Sequence, residues 1–508
     1  MANFYLTCAI DYANGEPHVG HAFEKIGADV IARYRRLRGD DVRFSIGMDE
    51  HGQNVQREAD DRGLDPQEWV DELAGRWRTA WERVLVSNTD FARTTTTDHA
   101  RAVQDLVRRI REAGDIYLAE YEGYYCERCE AFRKEAELED GRCPYHPSRE
   151  IEWTEEENYF FRLSKYTQPL LDHIAEHPEF IRPESRRNEI LRLLEGGLED
   201  VSASRSRVPW GVPFPDEEGH TVYVWFDALP NYLSVLGFPG EEHEEWWPAD
   251  VHVIGKDITR FHCVIWPAML MSAGLALPKT VWAHGFVMIG GGKLSKSEAR
   301  RLDLATLVDR RGADAFRYIL MREAPWDADR DFPSVDGFLE QFDARYQADL
   351  ANDLGNLLNR TVSMVRKYRD GRIAPGGGTE LDEEADAALD RYVEHMDAMR
   401  LQEAVESAMS IVRRSNAWVD ARQPWALAKD PSAADELDAV LGALVRALSR
   451  VATALHPFMP EKCAELWSRL GGDGESPPDL DELPSRWPPS LPEPAANVLF
   501  PRVEANEA

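Results

Sequence analysis

Two imidazoles at positions 18 and 21, in Pro17-His18-Val19-Gly20-His21, carry the first chemistry of this chain. They follow an apolar run, Phe4 to Ala9, and the turn residues Asn14-Gly15-Glu16-Pro17. At a helix start that spacing turns both rings to one side, where unpaired N–H groups and the helix dipole attract phosphate. Gly20 leaves the backbone bare, so a flat ring such as adenine can approach it. A lone His is usually a satisfied core residue; the pair, the glycine and the strand–turn–helix setting favour an anion. Far downstream, Lys293-Leu294-Ser295-Lys296-Ser297 follows Gly290-Gly291-Gly292. Two ammonium groups on a glycine-led loop suit a mobile cationic clamp that meets negative charge as it develops. Leu294 stands where a Walker-type phosphate loop would have Ser or Thr. His18, His21, Lys293 and Lys296 form the expected catalytic set.

A third cluster is Cys126-Glu127-Arg128-Cys129 with Cys143-Pro144-Tyr145-His146. Two-residue gaps within each pair suit tetrahedral Zn²⁺ held by Cys126, Cys129, Cys143 and His146. Four protein ligands leave no open position, so one structural zinc is expected. A redox Cys pair would not explain the second pair. Cys8, Cys263 and Cys463 are expected as ordinary buried residues.

These groups need a scaffold. Phe4 to Ala9 reads as a buried strand, His18 to Arg38 as a helix with Phe23, Ile26, Val30, Ile31 and Tyr34 at helical spacing, and Val42 to Ile46 as the next strand. That order implies a parallel sheet with a right-handed crossover. The pattern breaks near Tyr117, becomes charged and Cys-bearing to about Trp153, and resumes with strands at Thr221 to Phe226, Val251 to Gly255 and Val281 to Phe286. In open α/β sheets ligands bind beyond the carboxyl ends of the strands. His18, His21, Asp49, Lys256-Asp257 and His284-Gly285 all fall there, which puts His18, Gly20, His21, His284, Gly285, Lys293 and Lys296 around a nucleotide. From about Phe342 the chain reads as a helical bundle, with helices at 348–368, 381–399, 402–421 and 433–454, and after about Gly471 as an extended Pro-rich, acidic tail.

The fold class is thus α/β: a doubly wound, Rossmann-like parallel-sheet catalytic domain split by a zinc-knuckle insertion, then an α-helical bundle. The expected boundaries are 1–115 and 206–341 for the two catalytic parts, 116–205 for the insertion, 342–471 for the bundle and 472–508 for the tail. A chain of 508 residues, 43% hydrophobic, can bury several cores. No apolar run approaches the roughly 18 residues that span a bilayer, and the N-terminus lacks a basic stretch followed by an apolar one. With reduced cysteines beside a metal motif, a cytoplasmic protein without membrane contact is expected. The net charge of −32 runs against phosphate binding by the surface as a whole. It reads as a solvated acidic surface, with local basic candidates in Arg33-Tyr34-Arg35-Arg36-Leu37-Arg38 and Arg300-Arg301.

The two opening strings resemble the signature motifs of class I aminoacyl-tRNA synthetases, usually written HIGH and KMSKS. Over nearly its full length the chain is similar to the methionyl-tRNA synthetase family, through Thr7-Cys8-Ala9-Ile10-Asp11-Tyr12, Asp49-Glu50-His51-Gly52, the Cys/His knuckle, Glu155-Glu156-Glu157-Asn158-Tyr159-Phe160-Phe161, Tyr223-Val224-Trp225-Phe226-Asp227-Ala228 and Val253-Ile254-Gly255-Lys256-Asp257-Ile258. The resemblance implies a methionine pocket at Ala9, Ile10, Tyr12, Trp225, Tyr232, Ile258 and His262, with Asp49 on the α-ammonium, Asp257 shaping the pocket, and Arg205 as a further match. Aromatic rings are chemically apt for a polarizable thioether. It further implies anticodon reading by Asn356, Arg360 and Trp425, Mg²⁺ with ATP, initiator and elongator methionine tRNAs as partners, and a monomer. The expected activity is methionine–tRNA ligation: methionine and ATP give methionyl-adenylate and pyrophosphate, then methionine passes to the 3′-terminal ribose of tRNA. The alternatives are a class I synthetase for another apolar amino acid or a non-catalytic tRNA-binding relative. Leu294, Glu298-Ala299-Arg300 and Leu229 depart from the family pattern.

Overall fold

The computed structural model describes residues 2–13, 15–126, 131–133, 135, 138–139, 141–144, 151–206, 208–292, 298 and 301–502. Its centre is a parallel sheet of β1 (Asn3–Cys8), β2 (Asp41–Asp49), β3 (Asp90–Arg93), β4 (Ile181–Arg182), β5 (Val251–Gly255) and β6 (Val281–His284), in the order β3-β2-β1-β5-β6-β4. Every pairing is parallel, and Asp11–Tyr12 extends the β1 line beside Met48 and Asp49 of β2. Covered on both faces, β1 and β5 are almost wholly buried, as their unbroken apolar runs require. The chain winds outward from β1 to β3 and resumes on the other side of β1 with β5 and β6. The reversal leaves a crevice between the ends of β1 and β5.

Helix α1 (Val19–Leu37) connects β1 to β2. Its core face shares one continuous apolar core with the bundle, while the other face of the sheet packs its own. Charged side chains on α1 reach the same seam: Arg317 is fully buried, donates to Asp29 at 2.6 Å and to Phe458 O at 3.0 Å, and Tyr34 donates to Asp397 Oδ1 at 2.8 Å. Most of the sequence candidates for a basic face are engaged within the fold; Arg38 is exposed, and Arg300 lies outside the described residues. Arg33 pairs with Asp29, Arg36 donates to Ser87, and Arg35 lies over the Phe4 ring. Arg301 pairs with Asp336.

The insertion forms an antiparallel sheet whose long ribbon, Ile116–Cys126 with Glu152–Phe161, carries Ala131–Arg133 on one edge and Val201–Ser202 on the other. The strand expected at Thr221 to Phe226 is only Thr221–Val222; the chain then turns into α2 (Val224–Ala228). A short apolar run of β-branched and aromatic residues cannot be told from a short helix by periodicity alone, so the pattern could not reveal the helix. In the bundle, Tyr346–Gly355 is a π-type turn that runs into α3 (Asn356–Arg369), followed by α4 (Glu380–Asp397), α5 (Leu401–Arg422), α6 (Ala434–Leu455) and α7 (Pro460–Arg469). Beyond it the tail is irregular apart from Leu483–Ser485, yet Leu483, Leu499 and Phe500 are buried, and Tyr346 donates to Pro501 O at 3.0 Å. It is a strap rather than a surface run.

Candidate functional site

His18 is the N-cap of α1, and its role there fixes its chemistry. Gly20 N–H donates to His18 Nδ1 at 3.1 Å, and His18 N–H donates to His21 Nδ1 at 3.2 Å, a reciprocal cap built from two imidazoles. With both Nδ1 atoms accepting, the neutral rings carry their protons on Nε2. Burial pushes His18 down to about 4 and His21 well below its ordinary value, the latter helped by His18 and Lys25. Near neutral pH the pair therefore offers two uncharged Nε2–H donors, with ring centres 3.9 Å apart, at the positive end of a helix. Trp77 backs His21 edge-on at 5.0 Å.

On the far side of the crevice β6 ends in His284, which is buried, stacks on Trp326 and donates from Nδ1 to Gly285 O at 2.6 Å. Gly285 has no room for a side chain: a Cβ there would lie 1.9 Å from Ala328 O. Phe286 N–H donates to Asp329 Oδ1 at 2.9 Å, and Lys256 pairs with the other oxygen at 2.5 Å. Lys293 and Lys296 lie outside the described residues; the turn before them is built on Gly290 and Gly291, both at positive φ.

At the carboxyl ends of β1, β2 and β5 lies a cavity of about 210 Å³ lined by Ala9, Ile10, Tyr12, Asp49, Trp225, Tyr232, Ile258 and His262, all expected from the sequence. Val224, Ala228, Leu229 and Asn231 complete the lining. Asp49, 7% exposed, is the only carboxylate in it. His262 Nδ1 donates to Ile258 O at 3.1 Å, so its Nε2 accepts the Tyr232 O–H at 2.7 Å. Burial holds His262 at about 4, which keeps that acceptor neutral. Tyr5 O–H donates to the Tyr232 carbonyl at 2.9 Å, and His252 lies against the Tyr232 ring at 4.3 Å. Trp225 stacks on Phe261 with centres 3.6 Å apart. Asp257 does not join the wall; it is exposed, and its Oδ1 would lie 2.8 Å from a Cβ on Gly255. Arg205 sits apart, in a buried pair with Glu156 at 3.1 Å. Val224 was missed because Thr221 to Phe226 was read as a strand; as a helix, 224, 225, 228 and 229 share one face, which brings Ala228 in beside it.

Two residues below the cavity rim, Asp227 is clamped between His51 Nδ1 at 2.6 Å and His99 Nε2 at 3.0 Å. Burial alone would raise its carboxyl; the two imidazoles outweigh burial and hold it at about 2. On His51 burial likewise opposes charge, and Asp227 overcomes it, raising the imidazole.

In the bundle, Arg360 and Trp425 line an open groove of about 410 Å³ with Asn359, Ser363, Met364, Lys367 and Tyr368. Trp425 is 40% exposed, and Arg360 donates to Asp420 Oδ1 at 2.9 Å. Asn356, at the start of α3, is outside that lining. Of the knuckle, Cys126 and Cys143 are described and buried; Cys129 and His146 lie outside the described residues. Among the described residues no group of three or more His, Cys, Asp or Glu is placed to hold a metal.

Comparison with known proteins adds the following. The family described as tRNA synthetases class I (M) matches residues 4–152 and 146–362, and the anticodon-binding domain of tRNA ligase matches 379–498. A methionine–tRNA ligase from Caldanaerobacter subterraneus subsp. tengcongensis is 44% identical over 476 residues, 92% of this chain and 74% of that protein. One from Thermosynechococcus vestitus is 41% identical and covers 98% of both chains. Among solved structures, Mycobacterium tuberculosis methionyl-tRNA synthetase in complex with methionyl-adenylate superposes with a TM-score of 0.92 at 39% identity, covering 99% of this chain and 100% of the other. The free form of that enzyme gives 0.85 at 38%, covering 99% of each chain.

Proposed function

Since this chain belongs to the class I tRNA synthetases, in the family of the methionine–tRNA ligases, we propose that its cavity holds methionine and that the crevice beside it holds ATP. The enzyme is a ligase: it activates methionine with ATP and transfers it to tRNA. In the first step a methionine carboxylate oxygen attacks the α-phosphorus, and the bond to pyrophosphate breaks with its electron pair leaving on pyrophosphate. In the second a ribose hydroxyl at the tRNA 3′ end attacks the carbonyl carbon, gives up its proton, and AMP leaves. Neither step needs a protein nucleophile; positioning and charge stabilisation suffice.

The observation that carries the assignment is a cavity walled by aromatic and aliphatic groups, with Asp49 among its lining residues, at the carboxyl ends of β1 and β2, the two strands joined by the helix that the two imidazole donors cap. Asp49 takes the ammonium. Trp225, Tyr12 and Tyr232 give the thioether a polarizable wall, with Ala9, Ile10, Ile258 and His262 around it. His18 and His21 donate from Nε2 to phosphate oxygens over the bare Gly20, with His284 and Gly285 on the opposite wall. Lys293 and Lys296 meet the charge on the leaving pyrophosphate. Mg²⁺ accompanying the triphosphate supplies further shielding of that charge. Asn356, Arg360 and Trp425 read the anticodon, Trp425 by stacking on a base.

Two buried thiols on either side of the knuckle, Cys126 and Cys143, fit a thiolate-rich zinc set completed by Cys129 and His146. Elemental analysis of the purified protein is expected to give one zinc per chain; none would remove the metal from this reading. The enzyme works as a monomer in the cytoplasm, the reading that the family resemblance and the reduced cysteines of the sequence favour; among the described residues no helix is long and apolar enough to cross a membrane. The functional test is ATP–pyrophosphate exchange with each of the twenty amino acids. Exchange with methionine alone is expected; exchange with another amino acid would overturn the pocket, and none with any would overturn the activity.

A further inference from the structure

One charged group under the site is used by neither substrate. Lys25, on α1, is 0% exposed; its ammonium donates to Ala9 O at 2.8 Å and to Glu24 Oε1 at 2.7 Å, and forms an ion pair with Asp11 Oδ2 at 3.1 Å. Ala9 belongs to the cavity wall, and Asp11 stands between Ile10 and Tyr12, which do too. The same ammonium thus grips residues 9–12 twice, at the stretch where β1 has ended and the chain steps across to Met48 and Asp49. The grip continues to the other wall. The second oxygen of Glu24 lies 3.0 Å from His284 Nε2, and His284 Nδ1 donates to Gly285 O.

Burying an ammonium and two carboxylates is costly, and an apolar side chain of similar shape would fill the space without that cost. What an apolar side chain could not do is bind a backbone carbonyl on one wall and, through one carboxylate, an imidazole on the other. We propose that Lys25 is a positioning residue for adenylate formation, holding the methionine wall at residues 9–12 in fixed register with the nucleotide wall at His284 through Glu24. The proposal rests on the assignment of the two walls to methionine and ATP. Lys25 touches neither substrate; it sets the separation between the attacking carboxylate and the α-phosphorus, where a misplacement of about 1 Å costs on the order of 10²-fold in rate.

The test uses the full-length protein and ATP–pyrophosphate exchange, with active sites counted by the burst of adenylate. In Lys25→Met, kcat per active site is expected to fall on the order of 10²-fold, with the KM for methionine raised about tenfold. Glu24→Gln keeps the size and the acceptor for Lys25 but turns an amide toward His284; it is expected to raise the KM for ATP at least fivefold while the KM for methionine stays within about twofold. A merely structural lysine would lower the melting temperature and the count of active sites but leave kcat per site and both KM values unmoved. That result in Lys25→Met overturns the proposal. If Lys25→Met does not fold, Glu24→Gln decides alone: an unchanged KM for ATP overturns the proposal. Methionine-dependent exchange by the unaltered protein is a separate readout, and its failure would count against the functional assignment rather than against Lys25.

Discussion

Replacing Asp49 by Asn isolates one charge in the cavity. Asp49 is the only carboxylate in the lining and is 7% exposed, so little water competes for it. Two unit charges about 4 Å apart at an effective dielectric of about 20 attract by about 4 kcal/mol. Asn is close to isosteric and keeps a carbonyl acceptor, so part of the hydrogen bond survives and a loss of about 3 to 4 kcal/mol is expected. That corresponds to about 10²- to 10³-fold in kcat/KM for methionine. The ammonium is unchanged from substrate through transition state to adenylate, so Asp49 binds all three alike. Uniform binding of this kind falls on KM and leaves kcat nearly untouched. The assay is pyrophosphate exchange at saturating ATP over a wide range of methionine, with the KM for ATP as internal control. A second arm uses the methionine analogue lacking the amino group as an inhibitor. It is expected to bind the unaltered enzyme far more weakly than methionine, and to be penalised little further by Asp49→Asn, since the charge it would miss is already gone. A KM for methionine within threefold of the unaltered value, or a fall in kcat at constant KM, would refute the assignment of Asp49 to the ammonium.

Trp425→Ala removes a stacking platform worth about 1 to 3 kcal/mol, so kcat/KM for tRNA should drop about 10- to 100-fold while pyrophosphate exchange holds; equal losses in both assays would remove the groove from tRNA recognition. Gly285→Ala drives a methyl against the Ala328 backbone, costs about 1 to 3 kcal/mol of stability, and should raise the KM for ATP more than that for methionine. An unshifted melting temperature would show that the close approach is wrong. Asp227, held at about 2 against an ordinary 3.8, contributes about 2 kcal/mol above about pH 4 that is lost as pH falls toward 2. His51, raised above 6.5, makes the same contact full strength below that pH and weaker as pH rises through the raised value. Thermal unfolding across pH should show Asp227→Asn destabilised at neutral pH, with a flatter acid limb; parallel curves for the two proteins would refute the charge clamp.

The parts of the site at strand ends were legible because the parallel sheet makes every strand point the same way, so Asp49 and His284 could be placed from order alone, whereas Ala9 and Ile258 were supplied by the family resemblance. His18 and His21 were legible as a pair at a helix start, but not as a cap that sets their tautomers, which depends on the φ and ψ of residue 18. Val224 was hidden in a short apolar run whose period does not separate strand from helix. Lys25 and Arg317 were illegible for a different reason: a lysine or arginine on a helix reads as solvated, and only the tertiary structure supplies the carboxylates and carbonyls that bring each inside. The arginines at 33, 35 and 36 erred in the opposite sense, read as a surface patch when they are internal fasteners.

Helix α1, at about 1.5 Å per residue over 19 residues, is a rod of about 28 Å. One end is closed by the two imidazoles; farther along, Asp29 is bolted to Arg317 and Tyr34 to Asp397. In mechanical terms it is a pushrod: no proline lies along its length, and its mid-helix Gly27 is packed against the Trp326 ring, where an added Cβ would lie 2.2 Å from the ring carbons. A shift of the bundle that carries Asp397 must either move His18 and His21 with it or break the buried Arg317–Asp29 pair at a cost of about 3 to 5 kcal/mol. A strain imposed at the bundle is therefore carried along α1 to the two imidazoles that cap it.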